Sequence, residues 1–155
     1  MTTEQTATAR VTRRFAHSAE RVFDAWLDPE SLGQWLFGPE VRDEEIIHLK
    51  LSPTVGGTFS FLVRRGEMEI DHVGEYLEID RPRRLVFTWG VRQVEGTEFS
   101  RMVVEIEVVD GGCELRITHE MAPQWAGFVE RARGAWQLMA DALARALERE
   151  GGRWP

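Results

Sequence analysis

The chain has 155 residues, 43% of them hydrophobic and 29% charged, with a formal net charge of −7, a balance that suits one domain with a real core. The acidic excess argues against a nucleic-acid partner, since binding phosphates rewards the opposite sign. No apolar run nears the roughly 20 residues of a membrane span, and a single cysteine, Cys113, excludes an internal disulfide or a thiolate metal cluster.

Residues 1–7 are polar and aperiodic and are expected to be disordered. Nothing in MTTEQTATAR has the basic-then-apolar pattern of an export signal, so cytoplasm is the expected location. From Ala9 the chain alternates, with Ala9, Val11, Arg13 and Phe15 on one face of a first strand. Arg13 is the odd member of that face. A buried arginine would need a carboxylate or an anionic ligand; the favoured expectation is a side chain that reaches past the strand end into water. Ser18 then suits an N-cap for a short helix carrying Val22, Phe23, Trp26 and Leu27. Asp28 and Pro29 start a second helix with Leu32, Trp35 and Leu36, which Gly38-Pro39 ends.

Six strands are expected next. In residues 45–51, Ile47, Leu49 and Leu51 oppose Ile46, His48 and Lys50, and in residues 58–64 Phe59, Phe61 and Val63 share a side. A long strand over 67–79 puts Met68, Ile70, His72, Gly74 and Tyr76 on one face, and Gly74 would permit a bend. Leu85–Trp89 follows, then a loop by composition near residues 90–96. Met102, Val104, Ile106 and Val108 form one alternating set and Cys113, Leu115, Ile117 and His119 another, joined by the hairpin signal Asp110-Gly111-Gly112.

After Pro123, one amphipathic helix is expected from Gln124 to Glu150. Trp125, Phe128, Val129, Ala132, Trp136, Met139, Leu143 and Leu147 recur at steps of three and four, with Gly151-Gly152 as the stop. The predicted order is β-α-α-β6-α, an α+β fold in which a curved seven-stranded antiparallel sheet holds the long C-terminal helix on its concave side. Residues 8–150 form the domain and 151–155 a tail. A cavity between sheet and helix is the natural ligand site.

Several stretches carry a resemblance: Ala16-His-Ser-Ala-Glu-Arg-Val-Phe-Asp-Ala-Trp26, Asp28-Pro-Glu-Ser-Leu-Gly-Gln-Trp35, Gly56-Gly-Thr-Phe59, Gly74-Glu-Tyr-Leu-Glu-Ile-Asp80, Pro82-Arg-Arg-Leu-Val-Phe-Thr-Trp89 and Gly134-Ala-Trp136. Taken in order from residue 9 to residue 148, they resemble the START-like (SRPBCC) superfamily, and within it the Hsp90 ATPase activator homologue (AHSA1-like) group in its bacterial stand-alone form. The resemblance implies a helix-grip (START/Bet v 1-like) fold around a hydrophobic pocket. It leaves function open among binders of apolar molecules, cyclases, resistance proteins and chaperone co-activators.

Trp35, Phe37, Phe59, Phe61, Trp89, Trp125 and Phe128 are the aromatic set expected to line or gate the pocket, with His72, His119 and Tyr76 as polar groups that orient a ligand. Trp26 and Trp136 are expected in the core. The leading expectation is a non-enzymatic binder of a small hydrophobic, aromatic molecule, with no cofactor, no metal and no membrane partner. A homodimer is compatible with the sequence. The alternatives are a cyclase or hydratase using a pocket histidine, or a chaperone-interaction or stress-response module. The four histidines show no paired metal-ligand spacing.

Overall fold

The computed structural model describes residues 7–39, 41, 44–92 and 99–151. Of the start expected to be disordered over 1–7, residues 1–6 lie outside these and Ala7 belongs to the first strand instead; residues 152–155 of the expected tail 151–155 and residues 93–96 of the expected loop also lie outside.

Strand β1 (Ala7–Phe15) leads into helix α1 (Ala19–Asp24) and helix α2 (Pro29–Trp35). Both caps form as the sequence suggests. The Ser18 side chain accepts from the Arg21 N–H, and Asp28 accepts from the Glu30 N–H with Pro29 in the first turn, filling donors that a helix start leaves open. Strands β2 (Glu45–Leu51), β3 (Thr58–Arg65), β4 (Met68–Asp80), β5 (Arg84–Val91), β6 (Ser100–Val109) and β7 (Gly112–Met121) follow. The sheet order is β1-β7-β6-β5-β4-β3-β2, antiparallel throughout. The first two strands are therefore the opposite edges, and α1 and α2 carry the chain from one to the other. Gly111, at φ +82°, makes the β6–β7 turn in the left-handed region that favours glycine.

Two irregularities shift the simple alternation. A bulge between Ile46 and His48 makes Ile47 the extra residue, so Ile46 and Leu49 both lie over Gly33 of α2. A second, between Tyr76 and Glu78, leaves Leu77 outside and lets Tyr76 and Ile79 both reach the core. The expected inner set Ile47, Leu49, Leu51 is thus Ile46, Leu49, Leu51, because one inserted residue changes the phase of a period-two pattern. Met68 and Val108, read as inner-face residues, are exposed near strand ends. Regular β4–β5 pairing lapses between Val73 and Tyr76. There a Cβ on Gly74 would lie 1.9 Å from the Thr88 carbonyl oxygen and 2.6 Å from the Phe59 ring, so only glycine fits.

The expected single helix is two elements. A 3-10 helix (Pro123–Phe128) precedes helix α3 (Val129–Gly151). α3 buries Trp136, Met139, Leu143 and Leu147 against the sheet, and Ala140, Ala142, Ala144 and Ala146 widen the buried arc beyond one stripe. Small residues on those flanks let α2 pack beside the helix. Each large side chain in this layer contributes roughly 1.5–3 kcal/mol through burial.

Polar contacts tie α3 to the N-terminal elements. Arg13 Nε donates to Asp141 Oδ1 at 2.8 Å, and Arg21 Nη2 donates to the Leu147 carbonyl at 2.9 Å. Arg13 therefore departs from the favoured expectation. It does not simply reach into water but meets a carboxylate on the helix, while its guanidinium also lies 5.2 Å from the Phe15 ring centre. That hydrogen bond from Arg13 holds the Asp141 carboxyl below its ordinary pKa.

Candidate functional site

The space between sheet and helix is nearly filled. Trp26 and Trp35 meet edge to face at 4.6 Å, Phe59 stacks on Phe61 at 4.6 Å, and Trp26 stacks on Trp136 at 6.0 Å. These rings leave an enclosed void of about 10 Å³, lined by Trp26, Leu32, Leu36, Phe59, Phe61, Tyr76, Phe87, Trp89 and Trp136. A space of that size is at the lower limit for one water.

A larger depression, about 250 Å³, opens beside it at the start of the C-terminal helical segment. Its walls are Trp89, Gly90, Val91, Ser100, His119, Met121, Ala122, Trp125 and Phe128. Trp89 lines both spaces and so stands as the partition between them. The 3-10 geometry builds the outer wall. Residues three apart eclipse in such a helix, so Trp125 and Phe128 meet edge to face at 6.1 Å. They remain 45% and 37% exposed.

His119 forms the polar floor. Its Nδ1 accepts from Trp136 Nε1–H at 3.2 Å, since an indole N–H can only donate. The ring proton therefore sits on Nε2 and is donated to Ser100 Oγ at 2.7 Å, and Ser100 donates onward to the Trp89 carbonyl at 3.0 Å. Burial holds the imidazole pKa down at about 4, so His119 is neutral near pH 7. Both ring nitrogens are occupied, which leaves no group free for acid–base work on a ligand.

The predicted residues divide by place. Phe59, Phe61 and Tyr76 line the inner void, His119, Trp125 and Phe128 the outer depression, and Trp89 both. Trp35, Phe37 and His72 line neither. Trp35 is fully buried and donates its Nε1–H to the Ala25 carbonyl at 3.1 Å. Phe37 packs on His72 at 5.2 Å, and His72 Nδ1–H donates to the Phe61 carbonyl at 3.1 Å. Burial pushes the Tyr76 phenol above its ordinary pKa, so it stays protonated. Ser100 and Met121 were not anticipated. Ser100 enters only because it pairs with Trp89 across β5 and β6, a register that residue types alone do not announce.

A second polar cluster lies on the convex face. Ser60 Oγ donates to Asp71 Oδ1 at 2.6 Å and accepts from His48 Nε2 at 2.9 Å, while Arg92 Nε donates to Asp71 Oδ2 at 2.9 Å. The serine proton points at the carboxylate instead of the imidazole, the reverse of a nucleophilic triad. Among the described residues no group of His, Cys, Asp or Glu side chains is arranged to hold a metal ion, and no helix is long and apolar enough to cross a membrane.

Residues 16–148 match the family described as Activator of Hsp90 ATPase homolog 1-like protein. The chain belongs to that family. Solved structures agree on the fold. A protein of unknown function from Staphylococcus aureus superposes with a TM-score of 0.82 at 14% identity, covering 97% of this chain and 98% of its own. A protein from Nitrosomonas europaea gives 0.78 at 19% identity, with 93% and 96% covered. The AHSA1-like protein from Aeromonas hydrophila gives 0.74 at 19% identity, with 93% and 94% covered. At such identities the likeness establishes the helix-grip architecture of the family and does not extend to a ligand. Comparison with curated proteins gives no match.

Proposed function

We propose that the protein binds a small, flat, apolar molecule that enters past Trp125 and Phe128 and lodges against Trp89. The observation that supports this reading most is the 250 Å³ apolar depression, walled by two half-exposed aromatic rings and separated by one indole from the aromatic interior. Exposed tryptophan and phenylalanine side by side at a concave site are costly to leave in water and fit the flat face of a planar ligand. Burying about 200 Å² of ligand surface would contribute roughly 5 kcal/mol before association costs. The occupied nitrogens of His119 favour binding over the cyclase or hydratase reading, because neither can take up a proton without breaking a contact already made.

The test is a panel of planar apolar compounds screened by thermal unfolding and intrinsic tryptophan fluorescence, with native mass spectrometry of the freshly purified protein. A raised Tm together with a fluorescence change for some members is expected. A panel that moves neither would overturn the reading.

A further inference from the structure

Trp26, Trp35 and Trp136 pack together in the core, and all three are buried. Two of the three indole N–H groups have partners: Trp35 donates to the Ala25 carbonyl and Trp136 to His119 Nδ1. The third does not. Trp26 is 4% exposed, and its Nε1–H has no hydrogen-bond partner among the described residues. Buried tryptophan N–H groups ordinarily find an acceptor, and a donor left without one carries a standing penalty.

This ring lines the enclosed void on the inner side of Trp89, where no charged residue contributes to the wall. The void is too small for a ligand, and the outer depression alone falls below the roughly 300–1,000 Å³ of a typical small-molecule site. Trp89 borders both, packed at 5.3–6.4 Å against Phe59, Phe61, His72, Phe87 and Trp136, and the two spaces become one channel from Trp125 and Phe128 to Trp26 only when its indole turns aside.

Building on the binding role proposed above, we infer that the ligand is an uncharged planar aromatic whose inner end carries a hydrogen-bond acceptor, a carbonyl or ring oxygen, received by Trp26 Nε1–H once Trp89 swings aside. A carboxylate or ammonium is disfavoured because the inner wall offers no opposite charge to replace lost hydration. A ligand with no acceptor would fill the same channel yet leave the Trp26 donor unsatisfied. The Tyr76 hydroxyl also lines the void; selectivity is assigned to the Trp26 N–H because it is the donor left without a partner among the described residues. Affinity for flat apolar surface resides in the rings around it.

Fluorenone and fluorene share a flat tricyclic skeleton and differ by the carbonyl. Both are titrated into the full chain, reading the indole N–H signals of the six tryptophans by NMR, with assignments made by through-bond correlation. Fluorenone is expected to bind about five- to tenfold more tightly than fluorene and to move the Trp26 indole proton downfield, whereas fluorene, with no acceptor, gives no such downfield shift. In W26F the fluorenone-to-fluorene preference falls to about one, the ratio being taken within the variant so that a change in ring packing common to both ligands cancels. If fluorene binds but fluorenone is not preferred, or if the preference survives in W26F, the role of Trp26 is overturned and the binding reading stands. If neither compound binds, the inference about Trp26 is overturned, and the binding reading is decided by the wider panel. Should W26F fail to fold, the indole shift in the unaltered protein decides the matter.

Discussion

Trp136 on α3 donates its indole N–H to Nδ1 of His119 on β7 at 3.2 Å, and this one contact assigns the histidine tautomer. With Nδ1 accepting, Nε2 carries the proton, and the chain Trp136, His119, Ser100, Trp89 carbonyl runs in one direction. Replacing Trp136 with phenylalanine keeps the ring stacked on Trp26 but leaves Nδ1 buried without a donor. The expected cost is about 1–3 kcal/mol, read as a lower urea midpoint. The imidazole of that variant is also expected to titrate at higher pH, because protonation no longer sets a ring N–H against an indole N–H. Histidine NMR titration checks this.

Stability is expected to depend on pH through the same residue. The folded imidazole titrates near 4 because burial disfavours its charged form, against an ordinary value of 6.5. As pH falls, the unfolded chain therefore takes up this proton first. The stabilisation from His119 is fully present above about pH 6.5 and is lost as pH drops towards 4, a span of about 3 kcal/mol. Urea unfolding at pH 7.5 and pH 4.5 measures the difference, and H119Q should flatten that part of the profile.

Trp125 and Phe128 separate affinity from folding. Both are partly exposed and sit outside the buried arc of α3, so W125A and F128A are each expected to lower stability by less than about 1 kcal/mol. Binding of any planar ligand should weaken several-fold in each variant. Equal losses in Tm and in affinity would show that these rings hold the fold and do not serve the site.

Gly74 makes the opposite kind of prediction. A methyl group there meets the Thr88 carbonyl and the Phe59 ring at distances no side chain tolerates, and the carbonyl belongs to the neighbouring strand. G74A is expected to destabilise the protein by about 1–3 kcal/mol through forced backbone movement, measured by thermal unfolding. It should also disturb Phe59 and hence the inner wall.

Most of the fold could be read from residue spacing, because strands of period two and short capped helices announce themselves locally. Phe59, Phe61 and Val63 on β3, and the caps Ser18 and Asp28, are where spacing puts them. The misses share a physical cause. The bulges at Ile47 and Leu77 are properties of strand pairs, so a single strand carries no mark of them. The change from 3-10 to α-helix at Val129 is similarly hidden, since Trp125 and Phe128 fit the spacing of either. Trp35 and Phe37 could not be told from lining residues, because a packed aromatic and a pocket aromatic have the same pattern until neighbours are known. Asp141 as the partner of Arg13 lies 128 residues away, beyond any local signal.

The strand order has a consequence for the timing of synthesis. β1 pairs along its whole length with β7, from Ala7 against Met121 to Phe15 against Cys113, and has no other neighbour in the sheet among the described residues. Its partner leaves the ribosome about a hundred residues later, roughly 5–20 s at ordinary translation rates. Throughout that interval the apolar face of Ala9, Val11 and Phe15 has nothing to lie on, and the carboxylate that receives Arg13 is made later still. The nascent chain is thus at its most adhesive before β7 and α3 emerge, and a pause in translation between Asp110 and Asp141 would prolong that exposure.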